Sequence, residues 1–499
     1  MAKVAILLGT GTAGEDVLHK IQWLRHFKKE DEVHVISRIG DEHLNTNLKK
    51  LYGEKTFNEI LNSINELKRI SNSFTFVYDH INPKKDYSNE EVIRLQNWLG
   101  ISFSFISTLD RRFYNKNNLQ DSRDKKKLIN FVVDLTLLFK TIFLEQQINV
   151  FINTIEDDIF SVVAYYVAKR LNINVIGFMW SKFPRKGLMF CEDFKKICQW
   201  NSSLDCDIGE IQGLYSDSTI VGKSTMDKTV NYWDIKSSFV SKRIKGVISV
   251  GSYHVYVNEL IKKYKFEQLI FDPSITLTSQ IKKYIKKFLR LCFVKKNITE
   301  PNYSDNYFLF PLHFVEDAQM TFREPLIDQF DLIKAVSRVL PLNYYLYVKP
   351  HPHFLGTDLS VRKMRELARL DNIKIINPET PSIKLLKNSN VIVTINSTTG
   401  FEAMIMGVPV ITFGHDFYCK EELCKVVRDF NDLPLNLMDS LTNLNTEISD
   451  FVKMVYLNTI WVDTINYEYG FFGLTYNDGK KLALALNKIF ERIDREAYN

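Results

Sequence analysis

Several short segments of this chain combine reactive side chains with backbone features that hold them in place. Tyr345-Leu-Tyr-Val-Lys-Pro-His-Pro352 is an apolar strand ending in a histidine bracketed by prolines. Proline lacks an N–H and has a fixed φ, so strand pairing stops there and His351 is presented at the strand's carboxyl end. In open α/β sheets ligands bind at that edge, and Lys349 beside it offers a charge to a phosphate. A rigid turn with a solvent-facing histidine would have the same local sequence.

A second apolar strand, Val391-Ile-Val-Thr-Ile-Asn396, runs into Ser397-Thr-Thr-Gly400 and a helix that Gly407 closes. A helix start carries about half a positive charge and several unpaired N–H groups, so it binds phosphate without a dedicated cation. Ser397, Thr398 and Thr399 would be its hydroxyl donors, although any of them would equally serve as an ordinary N-cap. Glu402, one turn in, faces the same side and suits ribose hydroxyls, or simply complements the helix dipole.

In the first half, Glu156-Asp-Asp158 lies between a strand and a helix. A carboxylate so placed can serve as a general base, a nucleophile or the ion-pair partner of a developing cationic centre. Glu156 is the first candidate for that role and Asp157 the second; capping of the following helix is the alternative use. Gly9-Thr-Gly-Thr-Ala-Gly14 satisfies GxGxxG, but the next strand ends in Ser37-Arg38 rather than in the acid that a dinucleotide ribose requires. Close approach of this loop to an acceptor substrate is the simpler reading.

The elements that must carry these residues follow a βα rhythm. Strand, glycine turn, helix and strand occupy the first forty residues; 55–145 reads as mostly helical; strands recur at Val150–Ile152 and Val175–Met179 around a helix. The rhythm weakens over about 201–300 and returns from Tyr307. The expected architecture is α/β with two Rossmann-like domains. The first spans 1–300 with a helical, basic elaboration over 201–300, the second spans 301–450 and binds nucleotide, and helices over 451–499 pack back on the first.

Bulk properties exclude several classes. At 499 residues and 45% hydrophobic content, two cores are expected. A net charge of +6 is too mild for nucleic acid as main partner. Six scattered cysteines form no CxxC and no zinc-ligand spacing, so reduced thiols in a cytoplasmic protein are expected, with no metal. The first residues read as a strand rather than a secretion signal, and no window reaches the roughly 20 apolar residues of a membrane span. Residues 280–296 hold seven Lys and Arg and no acid, with an apolar side. That suits peripheral contact with an anionic inner-membrane face, or a solvated basic face packed by its apolar stripe.

Four blocks resemble the bacterial capsule polysaccharide biosynthesis proteins that include Kdo transferases: Phe310-Pro-Leu-His-Phe314 with Asp328-Gln329, Val348-Lys-Pro-His-Pro352, Ile395-Asn-Ser-Thr-Thr-Gly-Phe-Glu-Ala403, and Gly407-Val-Pro-Val-Ile411 through Gly414 to Tyr418. The resemblance implies a GT-B glycosyltransferase with His351, Ser397 and Thr398 on a nucleotide sugar such as CMP-Kdo. It places His313 on the same cleft as a catalytic candidate, and it implies a glycan or glycolipid acceptor and no divalent metal. A polyol-phosphate transferase of teichoic-acid type shares the histidine motif, but its Asp-Tyr-Ser-Ser run is replaced here by Asn396-Ser-Thr-Thr399. A catalytically inactive, nucleotide-binding assembly subunit is the further alternative.

Overall fold

A computed structural model describes residues 2–498 apart from 9–12, 29, 38–53, 82–84, 110–121, 154–158, 185–186, 194, 202–205, 216–288, 290–291, 294–295, 314–319, 321–322, 325, 352–359, 443–447 and 463–473. The chain lays down β1 (Lys3–Leu8), β2 (Glu32–Ser37), β3 (Ser73–Phe76), β4 (Val150–Asn153), β5 (Asn174–Trp180), β6 (Gly187–Glu192) and β7 (Lys196–Ile197) in one sheet. A second sheet holds β8 (Asn306–Pro311), β9 (Tyr344–Lys349), β10 (Ile373–Ile375), β11 (Val391–Thr394), β12 (Val410–Thr412) and β13 (Lys425–Val426). Near the end, β14 (Ile460–Trp461) returns to the first sheet and pairs antiparallel with β6.

The inner strands are buried on both faces and accordingly read as continuous apolar runs, as in Val4–Leu8 and Tyr307–Phe310. In the first sheet the parallel order is β3-β2-β1-β4-β5, with Val4 opposite both Val33 and Val150. In the second it is β10-β9-β8-β11-β12-β13, with Phe308 opposite Leu346 and Val391. Counted within its own sheet, the second order is 3-2-1-4-5-6, so connections run outward on one side from β8 and on the other from β11. The chain is therefore α/β with two Rossmann-like sheets, the second parallel throughout and the first parallel over β3-β2-β1-β4-β5, the GT-B arrangement.

Two strand pairings differ from the sequence expectation. Ser73–Phe76 is a strand within a region that reads as helical, and β6 turns back antiparallel on β5. Four residues at a sheet edge carry too little periodicity to stand out against the long amphipathic helix Glu54–Ile70 before them. Near the C-terminus, the helix Tyr476–Tyr498 packs along Ala13–Leu24.

One apolar core runs from the first sheet into the second, joining Phe151 and Phe160 to Phe401, Phe417 and Tyr418. Phe183, just past β5, meets Phe401, Tyr456 and Trp461 at centroid distances of 5.5, 5.4 and 5.8 Å. Polar ties reinforce the contact: Gln212 Nε2 donates to Ile405 O at 2.9 Å and Tyr215 Oη to Lys182 O at 3.1 Å. The segment after β5 is thereby held against the carboxyl ends of the second sheet.

Candidate functional site

The second sheet's switch point lies between β8 and β11, and the residues just past the neighbouring strands converge there. His313 follows β8, Lys349 ends β9 with His351 two residues on, Ser397 follows β11, and Asp416 follows β12.

Ser397 opens the helix Thr398–Ile405, but its side chain does not cap it. Its Oγ instead accepts from Thr394 Oγ1 at 2.8 Å, and its carbonyl accepts from Tyr418 Oη at 2.6 Å. The cap position is thus anchored from behind, with Thr398 exposed and Thr399 half-buried at the helix start. Close packing depends on Gly400, where a Cβ would lie 2.7 Å from Tyr418 Oη and 2.9 Å from Thr394 Cγ2. Gly407, at φ +74°, ends the helix in the left-handed conformation that a side chain disfavours.

Lys349 is buried and donates to Ser382 Oγ at 3.0 Å. Burial lowers its pKa to about 8, while the charge of Glu402 acts the other way. Glu402 is itself pushed up to about 7 by burial, against the pull of Lys182 and Lys349. The lysine and glutamate singled out from sequence are therefore brought into one electrostatic neighbourhood.

Lys182 comes from the first domain and is the central residue that sequence reasoning missed. Its Nζ lies 2.7 Å from Asp416 Oδ2 and 3.5 Å from Asn396 O, immediately before the helix cap. Asp416, fully buried at its side chain, also pairs with Arg323 at 3.3 Å. The only local signals are positional: Lys182 follows an apolar strand, and Asp416 follows the Gly414 turn. At Gly414 a Cβ would meet Ile395 O at 2.7 Å. Next to it Glu324, buried and raised in pKa chiefly by that burial, lies 3.1 Å from His415 Nδ1.

His313 is buried beside Lys182 and Asp416. The Gln329 side chain clamps its backbone, accepting from His313 N at 3.0 Å and donating to His313 O at 3.1 Å. Desolvation, reinforced by Lys182, lowers the imidazole to about 4, so it is neutral at physiological pH. His351 sits half-buried at the carboxyl end of β9. Glu156 and Asp157 lie outside the described residues, as does most of 280–296; the strand before the acidic pair, β4, is hydrogen-bonded to β1 at the first sheet's own switch point. Among the described residues no helix is long and apolar enough to cross a membrane.

Residues 252–425 match the family of capsule polysaccharide biosynthesis proteins. Protein FixF of Sinorhizobium fredii is 26% identical over 133 residues, 26% of this chain and 31% of FixF. Capsule polysaccharide export protein KpsS of Escherichia coli is 32% identical over 120 residues, 22% of this chain and 31% of KpsS. The alignments thus span about a third of the length of either relative. Among solved structures, Thermosulfurimonas dismutans KpsC, a beta Kdo 2,7 transferase, is similar at 19% identity and a TM-score of 0.26, over 48% of this chain and 67% of that one. The switch-point strands β8, β9, β11 and β12 all fall inside the matched segment, and through it the chain carries the sequence pattern of the capsule polysaccharide biosynthesis family.

Proposed function

We propose that this chain is a glycosyltransferase of surface polysaccharide assembly, capsule or lipopolysaccharide, which takes a sugar from a nucleotide donor and passes it to a glycan or glycolipid acceptor. The observation that carries this reading is the meeting of Lys182, Lys349 and the uncapped start of the Thr398–Ile405 helix at the switch point. Cations and free N–H groups at one sheet edge suit a phosphate-linked leaving group, whose charge grows as the sugar departs. In this reading Lys349, His351, Ser397, Thr398 and Thr399 hold the nucleotide, Glu402 faces the ribose, and no resident metal is needed because these groups supply the positive charge.

His313, held neutral, serves as a hydrogen-bonding group in the cleft. Glu156, or Asp157 after it, supplies the carboxylate for the acceptor or the oxocarbenium-like centre. CMP-Kdo is the proposed donor, on the strength of the family resemblance. Working at the inner face of the cytoplasmic membrane, with 280–296 as the contact, completes the proposal.

A thermal-shift panel of CMP, CDP, UDP, GDP and NADP on wild type and His351→Ala tests it. Stabilisation by CMP, lost in the variant, is the expected result, followed by transfer of labelled sugar from the matching donor. Stabilisation by NADP alone, or by none of the five, refutes the proposal.

A further inference from the structure

We infer that His415, its imidazole fixed by the buried carboxylate of Glu324, accepts a hydrogen bond from a hydroxyl of the sugar being transferred. The inference rests on the transferase reading above and adds a contact to the sugar, where that reading names contacts to the nucleotide.

His415 lies three residues past the end of β12, whose Thr412 stands opposite Thr394 of β11. Gly414 N donates to Ile395 O at 2.9 Å. A Cβ at Gly414 would lie 2.7 Å from that oxygen and 3.0 Å from Glu324 Oε1, so the glycine lets this segment press against the end of β11. On the other side, Asp416 pairs with Lys182 of the first domain. His415 therefore stands between the helix start after β11, where the nucleotide sits in this reading, and the point at which the first domain arrives. A sugar that leaves a nucleotide on one domain for an acceptor served by the other must pass that border.

The Glu324 side chain is 6% exposed, whereas that of His415 is 49% exposed. Both carboxylate oxygens face the ring, Oε1 at 3.1 Å and Oε2 at 3.3 Å from Nδ1, and Oε1 also accepts the His415 backbone N–H. Oε1, the nearer oxygen, is thus an acceptor already, and the charge of Arg428 favours the ionised carboxylate, so the hydrogen between ring and carboxylate belongs to Nδ1. Nε2 then carries a lone pair. It meets no partner among the described residues and, on a half-exposed ring, is open to a donor. Sugar hydroxyls are such donors, and phosphate oxygens are not; the ribose hydroxyls face Glu402 in this reading. A turn that needed only its backbone N–H satisfied could use a neutral acceptor. Burying a carboxylate costs free energy, and holding a solvated ring in one orientation costs entropy, so the pair is explained by what the ring is held for.

The test uses CMP and CMP-Kdo on the full chain, with affinities from microscale thermophoresis and nitrogen NMR of histidine-labelled protein, in which the His415 signals are those missing from His415→Gln. In wild type we expect the proton on Nδ1 and an Nε2 signal that moves with CMP-Kdo and not with CMP. His415→Leu should weaken CMP-Kdo about five- to tenfold, the loss of one hydrogen bond, and leave CMP unchanged. His415→Gln, whose amide oxygen reaches about as far as Nε2, should recover most of the loss. Glu324 keeps the backbone N–H of residue 415 in both variants, and circular dichroism checks their folding. A proton on Nε2, an unchanged CMP-Kdo affinity in His415→Leu, or equal losses for CMP and CMP-Kdo overturns the inference and leaves the transferase reading standing. Binding of CMP without CMP-Kdo overturns the inference and the CMP-Kdo donor but keeps the nucleotide site. A wild type that binds neither probe overturns the inference and the transferase reading together.

Discussion

Replacing Glu402 with glutamine should stabilise the protein at pH 8 and do little at pH 5. The carboxyl has two buried or cleft-facing lysines in its neighbourhood, which favour its charged form, yet burial outweighs them and raises its pKa from 4.5 to about 7. Between those values the folded state keeps the proton that the unfolded chain has lost. Stability therefore falls as pH rises from about 4.5 to about 7, and the full penalty applies above it. At about 1.4 kcal/mol per pH unit the penalty is about 3 kcal/mol. Glu402→Gln removes the ionisation at nearly constant volume, so its gain at pH 8 approaches that figure, which is already net of the attraction to Lys182 and Lys349. Urea unfolding followed by tryptophan fluorescence at pH 5 and pH 8 measures the difference, reported for each transition because two domains need not unfold together. If the variant is less stable than wild type at pH 8 and equal at pH 5, attraction to the lysines outweighs desolvation and the electrostatic argument for this cleft is wrong.

Gly400→Ala should cost about 1–3 kcal/mol by overpacking, since its Cβ has no room beside Tyr418 Oη and Thr394 Cγ2. It should also displace Tyr418 from Ser397 O and weaken nucleotide binding with it; a melting temperature equal to wild type would show that the helix start is not held as described. For Glu156→Gln the expectation is retained nucleotide affinity with turnover reduced about 10²–10⁴-fold, the range for loss of a general base. Normal turnover in that variant would move the catalytic role to another carboxylate, Asp157 being the next to test.

The parts of the site legible in the sequence are those imposed by the local backbone. A proline on either side of His351 ends a strand wherever it folds, and hydroxyl residues between an apolar run and Gly400 mark a helix start in any context. Buried parallel strands must be apolar along their whole length, so Tyr307–Phe310 and Val391–Thr394 announce a second Rossmann-like sheet without any knowledge of their neighbours. His313 is marked by the family resemblance alone, because a single histidine after a strand carries no pattern of its own. What only the tertiary structure decided is which distant segments meet. Lys182 contacts Asn396 across 214 residues of chain, and nothing local to Ser181-Lys182-Phe183 distinguishes it from a solvated lysine. The raised pKa of Glu402 and the lowered one of His313 likewise arise from burial at the junction of two domains. Backbone preferences act over a few residues and are written in order along the chain, whereas Coulomb and desolvation energies depend on separations in ångströms that exist only once both sheets have come together.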